Sequence, residues 1–479
     1  MSPLKKELLT GVFYTAVAKY SGIILSLVVA GVLARLIKPE EFGIVAIATV
    51  VISFFNIFSD LGIGSAIIQN KTLQQEDLSH IFSFTIWSGI ILSFLFFLFS
   101  WPIASYYENH TLLTICQLLA INLFFASANI VPNALIYKAK NFKFIAWRTL
   151  GVQILGGIIA IIVALTGGGL YALIINPIFS SILLFIISYH KYPQALKYTW
   201  GLAAIKKIFS FSVYQFLFNV INYFSRNLDK LLIGKYMGMS LLGYYEKSYR
   251  LMMLPLQNIS HVITPVMHPV FSDYQNDLQQ LSSSYEKIIR FLAFIGFPLS
   301  VFLWTSAREI TLIIFGDQWL PSVPVFQILA ISVGIQIVMS TSGSIFQASN
   351  DTRSLFICGV FSSILNVSGI LTGIFIFKTL EAVAWCITLT FTINFLQCYL
   401  QMYYVTFHKP IGKFWRQLIS PLILCGILYI TFSTLSPIIN ANSLFINLLI
   451  KSIIFVIIFM IYVQLTGEYN LIKNIKARL

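Results

Sequence analysis

The stretch FSFSVYQFLFNVINYFSRNLDKLLIG, residues Phe209–Gly234, decides the fold class, because it is long and apolar yet carries a stripe of polar residues. At about 100° per residue, spacings of three and four residues place the whole stripe on one side of an α-helix. A charge at the bilayer centre costs about 2.5–3.5 kcal/mol, so this side must face protein or water. The sequence therefore predicts a membrane protein with a wet interior. The stripe consists of Gln215, Asn219, Asn222, Arg226, Asp229 and Lys230.

The composition of the whole chain favours the same class. Of its 479 residues, 58% are hydrophobic and only 10% are charged, whereas a soluble protein carries about 25% charged residues. The net charge of +14 would suggest nucleic acid in a soluble domain, but here the basic residues lie mainly in short loops. All five cysteines lie inside apolar segments, without the spacing of a disulfide framework or a zinc site. We therefore expect no metal and no cofactor.

Fourteen apolar segments are long enough to cross a hydrocarbon core of about 30 Å. We predict an all-α polytopic membrane protein with about 14 transmembrane helices, and no connection is long enough to form an extramembrane catalytic domain. The predicted spans are residues 10–34, 42–64, 80–103, 112–136, 147–166, 169–189, 209–234, 240–268, 285–306, 322–346, 354–376, 380–404, 415–436 and 443–466.

Outside the apolar segments, lysine and arginine residues fall mostly into alternate loops, twenty on one side against five on the other. Cytoplasmic loops carry the excess of these residues, so the pattern predicts that both the N-terminus and the C-terminus are cytoplasmic. Few basic residues lie at the opposite ends of the spans, and we interpret Arg35, Lys38 and Lys235 among them as interfacial anchors. The basic residues at these ends are Arg35, Lys38, Lys235, Arg308 and Lys378.

A weak internal repeat relates VLARLIKPEEFGIVA (Val32–Ala46) to LIGKYMGMSLLGYYE (Leu232–Glu246) by a shift of 200 residues. The shift places Gly43 on Gly243, and it makes spans one and two correspond to spans seven and eight. We therefore predict an N-terminal lobe at 1–207 with spans 1–6 and a C-terminal lobe at 208–410 with spans 7–12. Residues 411–479 add spans 13 and 14 and a basic cytoplasmic tail. Transporters often have such repeats, with the binding site between them near mid-membrane.

Ionisable residues inside the predicted spans are predominantly basic. One interpretation is a water-filled cavity that binds an anionic substrate through the cations Lys19, Arg226, Lys230, Lys247 and Arg250. Asp229 and Glu246 are candidates for ion coupling, and Gln215, Asn219 and Asn222 would be polar cavity lining. The alternative is that Arg226 pairs with Asp229 and Glu246 with Arg250, both at helical spacing, and that these pairs only hold two helices together.

Several stretches resemble the polysaccharide transporter family, the Wzx-type O-antigen and exopolysaccharide flippases of the multidrug/oligosaccharidyl-lipid/polysaccharide exporter superfamily. The likeness is greatest to colanic-acid and teichuronic-acid exporters and covers about residues 8–410. It is carried by LARLIKPEEFGIVAIATVV (Leu33–Val51), FSDLGIGSAIIQ (Phe58–Gln69), NLDKLLIGKYMG (Asn227–Gly238), LGYYEKSYRLMMLP (Leu242–Pro255) and IIFGDQWLPSVPVFQILA (Ile313–Ala330).

The resemblance implies a flippase that moves an undecaprenyl-pyrophosphate-linked oligosaccharide across the bacterial inner membrane by alternating access, for lipopolysaccharide or exopolysaccharide synthesis. Membrane lipid is an implied partner, with a polysaccharide polymerase and a chain-length regulator as further candidates. A multidrug or lipid-II type exporter of the same superfamily is the alternative, although an exporter of cationic drugs should have an acidic interior. A membrane polymerase would need a large extracytoplasmic loop, so we do not expect an enzyme. The chain has no GxxxxGK[ST] loop for ATP.

Overall fold

The computed structural model describes residues 3–60, 62–198, 212–272, 274–275, 277–435 and 443–467. The chain forms two compact units, Met1–Gly243 and Tyr244–Leu479. The predicted lobe boundary at 207/208 and most of the basic tail lie outside the described residues, so both stay predictions.

The first unit is built entirely from helices in its described part. Apolar runs end at turns that carry Gly, Asn or Pro, which is where each helix ends. The helices are α1 (Pro3–Leu36), α2 (Pro39–Asp60), α3 (Ile63–Gln69), α4 (Gln75–Tyr107), α5 (His110–Ala128), α6 (Ile130–Lys138), α7 (Phe142–Leu165), α8 (Tyr171–Lys191) and α9 (Ser212–Tyr236).

The second unit begins at Tyr244, within α10 (Met239–Ser272). It is also helical where it is described. Short 3-10 and π segments at Asp317–Trp319, Thr372–Phe377 and Met402–Thr406 adjoin its helices. These helices are α11 (Leu278–Thr305), α12 (Ala307–Phe315), α13 (Ser322–Ile331), α14 (Val333–Met339), α15 (Ser342–Ala348), α16 (Thr352–Leu371), α17 (Leu380–Gln401), α18 (Gly412–Leu435) and α19 (Leu444–Leu465).

The all-α membrane fold is confirmed, whereas the count of fourteen spans is not. Among the described residues, eleven helices are long and apolar enough to cross a membrane, or twelve if one bent pair counts as a single span. The remaining two predicted spans correspond to α9 and α10, which carry the intramembrane charges. Their 25 and 34 residues correspond to roughly 38 and 51 Å of helix, which is long enough to span.

The tenth predicted span, 322–346, is a broken helix rather than a continuous one. Its first part, Ser322–Ile331, bends by 41° from Val333–Ala348. At the break, Ser332 Oγ donates to the Leu329 carbonyl at 2.7 Å and accepts from Gln336 Nε2 at 2.8 Å. A serine hydroxyl that bonds to the preceding turn competes with the helical ladder and promotes bending.

The turn between α1 and α2 has a counterpart between α9 and α10. Under the 200-residue shift, the end of α1 at Leu36 coincides with the end of α9 at Tyr236. The start of α2 at Pro39 likewise coincides with the start of α10 at Met239. The local repeat that the sequence predicts therefore extends to the helix ends.

These two turns also contact one another reciprocally. A Cβ atom on Gly43 would lie 1.9 Å from the Met239 carbonyl oxygen, and one on Gly243 would lie 2.0 Å from the Pro39 carbonyl oxygen. Both distances are far below van der Waals contact, so only glycine fits at either position. We call Pro39, Gly43, Met239 and Gly243 the glycine crossing.

Candidate functional site

Helix α9 carries half of the predicted site, and its contacts with α2 set its orientation within the first unit. The Tyr223 hydroxyl donates a hydrogen bond to the Val50 carbonyl. The rings of Phe54 and Phe224 lie with their centroids 5.0 Å apart. One face of α9 is therefore covered by aromatic packing against α2, and the charged residues lie to one side of that face.

The charges of α9 are not equally accessible. Arg226 is exposed, Lys230 is half-buried, and Asp229 is only 4% exposed. The Lys230 backbone N–H donates to Asp229 Oδ1 at 2.8 Å, so this carboxylate is partly satisfied by its own helix. The side chains of the other stripe residues, Gln215, Asn219 and Asn222, lie outside the described residues, and their role as cavity lining stays a prediction.

The charges of α10 belong to the second unit. Glu246 and Arg250 are half-buried, whereas Lys247 is only 2% exposed. The Lys247 ammonium lies 4.9 Å from the ring centroid of Phe315 and 5.3 Å from that of Trp319, and both rings are fully buried. Aromatic faces stabilise a desolvated cation, which explains how a lysine can be enclosed here.

Sequence reasoning missed the aromatic enclosure of Lys247. Phe315 and Trp319 lie in the stretch Ile313–Ala330, whose only distinguishing feature in the sequence is its resemblance to the transporter family. No spacing rule links them to a lysine about seventy residues earlier in the chain. In this conformation Lys247 is the least accessible of the five predicted substrate-binding cations.

Lys19 lies on α1 and is half-buried. One turn further along, a Cβ on Gly22 would lie 2.7 Å from Gln153 Oε1 of α7, so this part of α1 faces a polar side chain. Lys19 makes no hydrogen bond or ion pair with the described part of the chain. Because the α9 and α10 charges fall in different units, a common cavity that includes Lys19 stays a prediction.

A polar cluster that the sequence did not predict joins the ends of α4 and α9. Lys235 Nζ lies 2.8 Å from Glu108 Oε1 and 5.1 Å from the ring centroid of Tyr106. The Tyr107 hydroxyl donates to the Leu231 carbonyl at 3.2 Å. The hydrogen bond that Lys235 donates is the main reason why the pKa of the Glu108 carboxyl lies below its usual range, and the positive charge of Lys235 is the second. Lys235 is thus part of a specific contact, which we call the Glu108–Lys235 latch.

Two further observations describe the chemistry around the site. No group of three or more His, Cys, Asp or Glu residues arranged to hold a metal ion occurs among the described residues. All five cysteines are free thiols.

A protein-family model described as a polysaccharide biosynthesis protein matches residues 32–324 of this chain. The lipopolysaccharide biosynthesis protein WzxC of Escherichia coli K12 is 24% identical over 428 residues, covering 88% of this chain and 85% of that protein. The succinoglycan biosynthesis transport protein ExoT of Rhizobium meliloti is 23% identical over 380 residues, covering 79% and 77%.

Among solved structures, the fold is similar to that of the lipid II flippase MurJ in an inward closed conformation. The TM-score is 0.73 at 15% sequence identity, and the match covers 95% of this chain and 99% of that chain. At this identity the likeness concerns the fold, and it extends over both units.

Proposed function

This chain belongs to the family of polysaccharide biosynthesis proteins, as the motifs predicted, and on that premise we propose that it is a lipid-linked oligosaccharide flippase. It moves an undecaprenyl-pyrophosphate-linked repeat unit from one leaflet of the inner membrane to the other, for lipopolysaccharide or exopolysaccharide synthesis. The chain is a multi-pass membrane transporter and not an enzyme. A polysaccharide polymerase and a chain-length regulator would act on the delivered unit.

The observation that supports this proposal is that Arg226 is exposed on α9, a helix that the sequence predicts to span the membrane. An arginine facing hydrocarbon is costly, so its face of α9 lines a water-filled space. A pyrophosphate with attached sugars cannot cross hydrocarbon unaided, whereas its polyprenyl tail is soluble there. A wet cationic cavity gives the headgroup a path, and Arg binds phosphate oxygens bidentately. Lys19, Lys230 and Arg250 supply further positive charge.

Transport by alternating access requires a contact that closes one side and later opens. The glycine crossing and the Glu108–Lys235 latch join the predicted N-terminal lobe to the first helices of the predicted C-terminal lobe. With both termini cytoplasmic, these contacts lie on the periplasmic side. We propose that they close this side while the headgroup enters from the cytoplasm.

The sequence contains no nucleotide-binding loop, so ATP does not drive transport directly. The driving force for transport is then an ion gradient, the membrane potential or the substrate gradient. Asp229 and Glu246 are the acids of the predicted cavity, and an ion or proton gradient would act through them. A lipid-II type or multidrug exporter with the same fold is the alternative function. The family and the two named relatives favour polysaccharide synthesis.

The decisive experiment uses a strain that lacks the gene and measures lipid-linked oligosaccharide and surface polysaccharide. We expect the lipid-linked precursor to accumulate and wild-type protein to restore the polymer. Arg226→Ala with Arg250→Ala should restore less than about a tenth of it, because each lost charge-assisted bond to phosphate is worth about 1.5–3 kcal/mol. The matched control is Arg308→Ala with Arg353→Ala, since both of these arginines are exposed and lie outside the predicted cavity.

The outcomes separate the alternatives. Accumulation of lipid II instead of an oligosaccharide precursor would favour the lipid-II type exporter. Normal polymer with the Arg226/Arg250 variant at wild-type expression would contradict the cationic cavity, and would leave these arginines as parts of structural ion pairs.

A second prediction concerns the Glu108–Lys235 latch. Cysteines at both positions, joined by a short bifunctional thiol reagent, should block transport in membrane vesicles because the ends of α4 and α9 can no longer separate. Each single-cysteine variant should transport equally well with and without the reagent. Transport by the cross-linked protein would mean that these ends stay together throughout the cycle.

A further inference from the structure

A long interval of the first unit contains no acidic residue. Between Glu108 and Asp229 the sequence has neither Asp nor Glu, although it contains several Lys and Arg residues. In a chain with 17 acidic and 31 basic residues, such an interval leaves its positive charges without local compensation. Helices α6, α7 and α8 lie within it.

Arg148 draws these three helices together at one end of the unit. From α7, its Nη1 donates to Ser188 Oγ of α8 at 2.6 Å, and its Nη2 donates to Asn133 Oδ1 of α6 at 2.9 Å. The side chain is 8% exposed. Both acceptors are neutral. The two hydrogen bonds therefore position the three helices without neutralising the positive charge of Arg148.

Lysines surround this junction. Lys191 Nζ lies 5.5 Å from the ring centroid of Phe144, which places the end of α8 beside the first turn of α7. Lys143 Nζ lies 6.0 Å from the ring centroid of Tyr14 on α1. Lys140, Lys143 and Lys191 are exposed, and none of them forms an ion pair with the residues that the structure describes. We call Lys140, Lys143 and Lys191 the basic surface.

The nearest acids along neighbouring elements form no ion pair with these lysines in the part of the chain that the structure describes. Gln75 at the start of α4 donates to Gln194 beyond the end of α8 at 3.2 Å, which brings Glu76 and Asp77 to this end of the unit. Asp77 caps its own helix by accepting from the Gln74 N–H at 3.1 Å. Lys140, Lys143 and Lys191 form no ion pair with either acid, so their exposed ammonium groups are accessible to an anion.

Aromatic side chains place the basic surface at the level of lipid headgroups. Trp147 follows Lys143 by one helical turn, lies on the same face and is 65% exposed, and Tyr137 is 41% exposed. Trp and Tyr are enriched where hydrocarbon meets the headgroups. Lysines beside them meet the phosphates of the same leaflet.

We propose that the basic surface is a binding site for an anionic phospholipid, with the three lysines around one or two headgroup phosphates. Ammonium groups form charge-assisted hydrogen bonds with phosphate oxygens. Basic clusters next to membrane helices attract anionic lipids and lose this attraction when their charge is removed.

The test measures the dissociation constant of phosphatidylglycerol from the purified full-length protein by native mass spectrometry. Replacing Lys140, Lys143 and Lys191 by Gln should raise it by about tenfold or more, because each basic residue contributes to surface attraction. The control replaces Lys287, Lys413 and Arg416 by Gln, three exposed cations of the second unit, and should leave it unchanged. Phosphatidylcholine, with no net charge, and undecaprenyl phosphate serve as comparison probes.

Each other outcome overturns the proposal. Equal weakening by both triple variants would mean that net charge alone attracts the lipid. Weakening for undecaprenyl phosphate but not for phosphatidylglycerol would assign the lysines to the transported substrate. Unchanged binding in the basic-surface variant would place the lipid elsewhere. An unchanged thermal midpoint in phosphatidylcholine verifies that the variant is folded.

Discussion

Gly43→Ala should lower the free energy of unfolding by about 3 kcal/mol, the upper end of the cost of overpacking. The added Cβ would lie 1.9 Å from the Met239 carbonyl oxygen, and this neighbour is backbone, which cannot rotate away. Gly243→Ala meets the Pro39 carbonyl oxygen at 2.0 Å and should have a similar effect. The thermal midpoint of the purified protein measures both.

Gly359→Ala and Gly426→Ala are the matched controls. Both glycines lie inside helices, α16 and α18, and a Cβ would meet nothing within 4 Å. Alanine there should stabilise the helix by about 0.5–1 kcal/mol, since it removes backbone freedom from the unfolded chain. Equal effects at all four positions would refute a close crossing.

The double variant Gly43→Ala/Gly243→Ala tests whether the two contacts form one unit. If a single displacement of α2 from α10 relieves both clashes, the combined cost should fall well below the total of the single costs. If the crossing also closes the periplasmic side, these variants should lose polysaccharide export at expression levels matched to the wild type.

The repeat on which this crossing is built could be predicted from the sequence. The 200-residue shift already paired Gly43 with Gly243 and one turn with the other. The sequence could not reveal that the paired glycines touch each other's turn, because a repeat specifies similar structure and not mutual contact. The direction of packing depends on side chains such as Tyr223 and Phe54, which hold α9 against α2.

For the predicted site, the sequence pattern indicates which helices carry the charges but not how deeply each charge is buried. Helical spacing predicts that the charges lie on helices, and α9 and α10 carry them, because periodicity depends only on local geometry. Burial depends on distant partners, and it differs between Arg226, Asp229 and Lys247. The enclosure of Lys247 by Phe315 and Trp319 joins elements that no local pattern relates. The buried ion pair between Lys451 and Glu309 is another contact between elements that no local pattern relates.

Lys451 is the only charged residue of α19, and its replacement should have the second large effect on stability. Its Nζ lies 2.5 Å from Glu309 Oε1 and donates to the Thr305 carbonyl at 2.8 Å. Each side chain of the pair is 10% exposed. The neighbouring turns of α19 present apolar side chains such as Phe445 and Ile453 outward, so this ion pair is a polar attachment within an otherwise apolar helix.

Lys451→Met should lower the free energy of unfolding by about 3–5 kcal/mol, because it leaves the Glu309 carboxylate buried without its cation. Glu309→Gln should cost a similar amount for the converse reason. The double variant Glu309→Gln/Lys451→Met removes both charges and should recover most of the loss, since neutral side chains of similar size often replace a buried pair at little cost. Arg308→Gln, an exposed neighbour on the same helix, should stay within about 0.5 kcal/mol of wild type. Thermal midpoints of the four variants measure these differences, and additive losses in the double variant would mean that Lys451 and Glu309 act independently.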